Sequence, residues 1–186
     1  LKKTLDSGKG HCLLEMPTGT GKTVSLLSLI VSYQLQSNLI GKLIYCTRTV
    51  QEIDKVMQEI KRVFNYIKKE KSIEKDKKYF NRKNLCICLS ARRNLCIHEY
   101  VSKFDDRNKI DSLCRNRTAS WIRNTENVPK SSLCQYYEEY INNGTDADLE
   151  GIYSLDDLKD LGHKKKWCPY FAARKFINIA NIVVYN

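Results

Sequence analysis

Apolar positions recur in this chain first at strand-like runs and then at helical spacing, several times over. Residues 1 to 7 read as the end of a helix with Gly8 as its terminator, and Cys12-Leu13-Leu14 then make a short apolar run suited to a buried strand. Val24, Leu26, Leu27, Leu29, Ile30 and Val31 follow at helical spacing, so a helix is expected over residues 23–36. The polar turn Gln36-Ser37-Asn38 and Gly41 lead into Lys42 to Thr47, a second strand-like run, after which Val50, Ile53, Val56, Met57 and Ile60 predict a second helix. Leu85 to Ser90 is apolar again. Much later, Pro169 opens a helical pattern through Tyr170, Phe171, Ala173, Phe176, Ile177 and Ala180, and Asn181 to Tyr185 is strand-like. Strand and helix in alternation argue for an α/β fold, a parallel sheet covered by helices.

The alternation is interrupted. From about Arg92 the chain becomes polar, with Trp121, Tyr136, Tyr137, Tyr140 and Tyr153 spaced through Cys96 to Cys168 and few apolar clusters. Ser154 to Gly162 fits a short helix with a serine cap, acids in the first turn and a terminating glycine. Periodic structure resumes after Cys168, so this segment is expected to be an insertion, mainly helical, with a small core of its own.

The chain has 186 residues and 42% hydrophobic side chains, consistent with one globular domain carrying an insertion. Its formal charge of +11 invites a nucleic-acid reading. Residues 61–83, however, hold ten Lys/Arg against three Asp/Glu, and a lysine-rich stretch of this kind is commonly a solvated helix end or loop. No run of about 18 apolar residues occurs, so no membrane span is expected, and the N-terminus has no signal-peptide core. The start without Met and the apolar end lead us to expect a piece of a longer protein. With no secretion signal, the eight cysteines point to a reducing compartment and to metal ligation or burial rather than disulfides.

Three groups carry candidate chemistry. Met16-Pro17-Thr18-Gly19-Thr20-Gly21-Lys22-Thr23, between an expected strand and helix, reads as a phosphate-binding loop. Gly19 and Gly21 let the backbone approach phosphates, Lys22 would set its ammonium on the outer two, and the Thr23 hydroxyl would hold Mg2+. Met16 stands where the strict pattern has glycine. Thr47-Arg48-Thr49 lies at a strand's carboxyl end, where it either meets a phosphate or merely caps a helix with a solvated arginine. Cys96, Cys114, Cys134 and Cys168, separated by 17, 19 and 33 residues, fit an iron-sulfur cluster, a zinc ion without any C-x-x-C knuckle, or unligated buried thiols. Cys86 and Cys88, two apart in a strand, read as core residues.

Together these residues resemble one family, the XPD-type superfamily 2 DNA helicases with an iron-sulfur domain. The likeness is carried by Leu14 to Leu27, Leu43 to Val50, Arg93-Asn94-Leu95-Cys96-Ile97-His98, Gly151 to Leu158 and Trp167-Cys168-Pro169-Tyr170-Phe171. It implies a RecA-like motor domain interrupted by a cluster domain: residues 1–91 and 173–186 would belong to the motor and residues 92–172 to the cluster domain. It implies ATP and Mg2+ at residues 16–23, with Lys22 and Thr23 catalytic, and a [4Fe-4S] cluster on Cys96, Cys114, Cys134 and Cys168. It implies DNA contacts, single strand and fork, by Thr47, Arg48, Thr49, Arg92, Tyr170 and Arg174. Tyr170 could equally serve the core. It further implies 5′-to-3′ translocation, TFIIH subunits as partners, roles in nucleotide excision repair and transcription initiation, and a nuclear location. An Asp-Glu-Ala-His box is lacking, so the chain alone is expected not to hydrolyse ATP appreciably. The rival reading is a non-motor scaffold with a degenerate nucleotide loop and a zinc-bound cysteine module.

Overall fold

The computed structural model describes residues 1–36, 41–73, 84–125 and 128–186. In chain order its elements are α1 (Lys2–Asp6), α2 (Lys22–Gln36), β1 (Leu43–Cys46), α3 (Val50–Ile73), β2 (Leu85–Leu89), α4 (Arg92–Leu95), α5 (Arg107–Thr118), α6 (Ser120–Arg123), α7 (Gln135–Asn143), β3 (Gly151–Tyr153), α8 (Leu155–Lys165), α9 (Pro169–Phe176) and β4 (Ile182–Tyr185), with 3-10 turns at Val101–Lys103 and Lys130–Ser132. The turn expected at Gln36 to Asn38 and the latter part of the lysine-rich stretch fall outside the described residues. No described helix is long and apolar enough to cross a membrane.

The strands form one sheet in the order β1-β4-β2-β3, and every neighbouring pair is parallel. Composition explains which strands lie inside. β2 (Leu-Cys-Ile-Cys-Leu) and β4 (Ile-Val-Val-Tyr) are apolar on both faces and are buried along nearly their whole length, as central parallel strands must be. β1 alternates in exposure and sits at an edge. Cys86 and Cys88 are buried at 2% and 0% exposure in β2, as core residues. The Cys88 thiol is pushed up to about 12, chiefly by burial and then by the Asp54 carboxylate.

Two expectations need correction. Cys12 to Leu14 form no strand: the run is extended but unpaired, and Leu13 is 98% exposed. Three residues without a hydrogen-bonded neighbour cannot hold strand structure. The second is Gly162, which does not end α8. The helix runs on to Lys165 and closes on Lys166 in the left-handed conformation, φ 60°. The second predicted helix also extends beyond Ile60, to Ile73.

The chain divides into two compact units, residues 1–41 with 58–82, and residues 42–57 with 83–186. The second holds the whole sheet. Within it the polar segment after Arg92 has two cores. A small one gathers Ile97, Cys134, Tyr136 and Cys168. A larger one joins Tyr140 and Trp167 from that segment to Leu85 and Ile87 of β2, Val183 of β4, and Ala172 and Phe176 of α9. β3 lies within the same segment and extends the sheet beside β2, with Leu85 opposite Gly151 and Ile87 opposite Tyr153.

Candidate functional site

The first unit presents the phosphate loop. Gly19 and Gly21 have φ of 79° and 73°, a region that side chains rarely occupy, so glycine is required at both turns. The Gly21 carbonyl accepts the Ser25 amide at 3.0 Å as the first bond of α2, and Lys22 is the first helical residue. The Lys22 ammonium curls back to the Met16 carbonyl at 2.9 Å, spanning the loop from inside. The Thr20 hydroxyl ties to the Pro17 carbonyl at 2.8 Å. The loop is otherwise exposed, and the amides of the first turn of a 15-residue helix lie at its base. Such amides have no helical acceptor and attract anions. A phosphate would offer Lys22 a better partner than a neutral carbonyl. The residues therefore fit a nucleotide phosphate.

The second unit holds the cysteines, three of them at helix ends. Cys96 follows α4 and gives its amide to the Arg92 carbonyl at 2.8 Å, Cys134 caps the start of α7, and Cys168 caps the start of α9. Cys114 lies on α5. Cys134 donates its amide to the Arg117 carbonyl at 3.1 Å, and Cys168 donates to the Tyr136 carbonyl at 2.9 Å, so the segments bearing them are cross-tied. Burial pushes the Cys134 thiol up to about 11 and Cys168 to about 12, with the charges of other cysteines adding to both. The Cys96 thiol is raised too, chiefly by burial and in part by Cys114. Backbone amides of Tyr137 and Tyr136 at Cys134, and of Phe171 and Tyr170 at Cys168, act in the opposite direction.

That combination has a chemical meaning. Four thiols near enough to feel one another are hard to ionise together without a cation, while the helix N-termini at two of them favour thiolate once a cation is present. The donor set thus fits a thiolate-bound metal group. Among the described residues, though, no three His, Cys, Asp or Glu side chains form a ready single-ion site.

Beside the cysteines, Arg92, Tyr170 and Arg174 come together. The Arg92 and Arg174 guanidinium carbons lie 4.3 Å and 3.4 Å from the Tyr170 ring centre. Arg92 also faces Asp111 at 3.4 Å and meets the Cys114 thiol, while Arg174 donates to the Ser90 carbonyl at 3.3 Å. Burial is the main cause that lowers Arg174 below its ordinary value. Sequence reading missed Asp111 and Ser90. Asp111 had a faint signal, three residues before Cys114 and so on the same helical face.

Thr47, Arg48 and Thr49 occupy the carboxyl end of β1. The Thr49 hydroxyl accepts the Glu52 amide at 3.2 Å, which is a helix cap, and Arg48 is 91% exposed with only a loose 3.6 Å pairing to Glu52. The Thr47 amide reaches the Tyr185 carbonyl at 2.8 Å, and the Ser90 hydroxyl reaches Asn186 at 3.3 Å. Because β4 lies between β1 and β2, Thr47-Arg48, Asn186 and Ser90 to Arg92 follow one another along the carboxyl edge of the sheet. The two basic groups are separated by about two strand spacings, roughly 10 Å.

Comparison with known proteins agrees with these features. The DEAD_2 family matches residues 45–186. The chain is 49% identical to the "General transcription and DNA repair factor IIH helicase subunit XPD" of Dictyostelium discoideum, over 100% of this chain and 23% of that protein. Identity is 46% to the protein of the same description in Arabidopsis thaliana, over 100% of this chain and 24% of the relative. It is 38% to the XPD/RAD3 helicase subunit of Saccharomyces cerevisiae, over 100% and 23%. The chain thus spans about a quarter of the length of the curated relatives it matches.

Proposed function

We propose that this chain, which belongs to the DEAD_2 family, is the first part of a RecA-like motor domain in an ATP-dependent DNA helicase of the XPD type. The observation that carries the reading is the glycine loop at the start of α2, with Lys22 held across its mouth. On ATP binding, Lys22 leaves the Met16 carbonyl for the outer phosphates, the amides of residues 19–23 receive phosphate oxygens, and the Thr23 hydroxyl takes Mg2+. Nothing in these 186 residues supplies an Asp-Glu-Ala-His carboxylate pair, so hydrolysis belongs to the longer protein.

Residues 92–172 form the cluster domain in this reading, and residues 1–91 and 173–186 the motor. Cys96, Cys114, Cys134 and Cys168 would hold a [4Fe-4S] cluster, which when bound cross-links four segments of a module that has little core of its own. A cluster of several atoms draws thiolates from a wider circle than one zinc, whose sulfurs must all lie about 2.3 Å from the ion. Single-stranded DNA follows the carboxyl edge of the sheet. Thr47, Arg48 and Thr49 hold phosphates at one end, and Arg92, Tyr170 and Arg174 take phosphate and base at the other, near the fork. Stacking of one base on Tyr170 is worth roughly 1 to 3 kcal/mol. By the names of the relatives, we extend the reading to 5′-to-3′ translocation, assembly with TFIIH subunits, nucleotide excision repair and transcription initiation, and work in the nucleus.

The test is Lys22→Ala in the full-length protein. DNA-stimulated ATPase should fall on the order of a hundredfold or more, as when a principal charge-stabilising donor is removed, with single-strand binding largely retained. An ATPase that survives the substitution overturns the motor reading.

A further inference from the structure

Tyr140 is buried at 3% exposure, yet its hydroxyl has no hydrogen-bond partner among the described residues. A buried hydroxyl left unpaired costs about 1–3 kcal/mol, so the position calls for an acceptor. The ring cannot turn away. A Cβ at Gly144 would fall 2.5 Å from Tyr140 Cδ2, which places that glycine directly against the ring, and the Trp167 ring meets it edge-on at 6.0 Å. Tyr140 lies one turn along α7 from Tyr136, whose carbonyl holds the Cys168 amide at 2.9 Å. Trp167 is the residue before Cys168, so both sides of the tyrosine lead to that cysteine. The Cys168 thiol also contributes to raising the Tyr140 phenol, after burial, and no other charged group does so.

We propose that Tyr140 is a positioning residue for the cysteine centre: with iron bound, its hydroxyl donates a hydrogen bond to the Cys168 thiolate. The inference rests on the cluster reading and goes beyond it, because it assigns a group outside the four ligands. A donor to a ligand sulfur stabilises added negative charge, so it raises the reduction potential of the centre and slows loss of iron.

Tyr140→Phe in the full-length, anaerobically prepared protein removes the oxygen and keeps the ring. The reduction potential, measured by titration of the visible absorbance, should shift to more negative values. A tenfold change in the reduction equilibrium corresponds to about 59 mV for one electron. Iron release to a chelator should be faster than in the parent protein, whereas the metal-free form should be as stable to urea as the parent or more so. Opposite signs in the loaded and metal-free forms set the inference apart from a simple packing defect. Iron-loaded parent protein with a variant of unchanged potential and unchanged iron release overturns this assignment and leaves the cluster reading standing. Parent protein that holds zinc and no iron overturns both.

Discussion

Lys166 is the one non-glycine residue with positive φ among those described, 60°, and it closes α8. A lysine pays a steric penalty in the left-handed region that glycine avoids, partly offset because glycine has more freedom to lose on folding. Lys166→Gly should therefore raise stability by about 0.5–1 kcal/mol, seen as a higher urea midpoint with unchanged slope. A lower midpoint would mean the lysine side chain contributes more than its backbone costs. At this scale the sequence was legible where chemistry is local. Gly19, Gly21 and Lys22 announce a phosphate loop by spacing, and their dihedral angles agree. Thr49 was open between a phosphate contact and a cap, and its hydroxyl does act as a cap. Tyr140 and Asp111 gave almost no signal, since their roles depend on neighbours 28 and 19 residues away, Cys168 and Arg92.

The pair α8 and α9 shows what a single element can and cannot announce. Ser154 and Asp157 form the capping box that opens α8, as the serine and the acids led one to expect. Gly162 looked like the terminator. Its role is close packing instead: an added Cβ would lie 2.6 Å from Pro169 Cγ, 2.8 Å from the Trp167 carbonyl oxygen and 2.9 Å from Ile97 Cδ1. Pro169 is fixed at the start of α9 and Trp167 contributes backbone, so neither yields easily. Gly162→Ala should cost about 1–3 kcal/mol through overpacking, even though alanine is the better helix former by about 1 kcal/mol. Chemical denaturation measures it, and an alanine variant at least as stable as the parent would refute the packing role. Cys12 to Leu14 is the converse case, an apolar run whose pattern suits a strand but which has no ladder partner among the described residues.

In the molecule as a whole, the cysteine segment and the sheet share a core. Tyr140 and Trp167 pack in one cluster with Leu85, Ile87 and Val183, and β3 pairs directly with β2. Losing the centre should therefore be felt in the sheet. Cys134→Ser is expected to lose iron, and hydrogen exchange should then report weakened protection in β2 and α9 together with α7. Full iron stoichiometry would remove Cys134 from the ligand set, and lost iron with undisturbed β2 amides would mean that the segment opens by itself. The sequence by itself determined the class of fold, the phosphate loop, the buried character of β2 and β4 and the identity of four spaced cysteines. These follow from periodicity, from glycine's access to positive φ and from thiol chemistry, all of which act within a few residues. Only the tertiary structure decided that β4 lies between β1 and β2, which brings Arg48 and Arg92 to one edge of the sheet. It also decided that a segment read as an insertion extends the sheet through β3, and that Gly162 and Tyr140 serve contacts rather than caps or a generic core. Strand order and side-chain contact are set by which distant surfaces bury one another, and no local pattern in the chain encodes that choice.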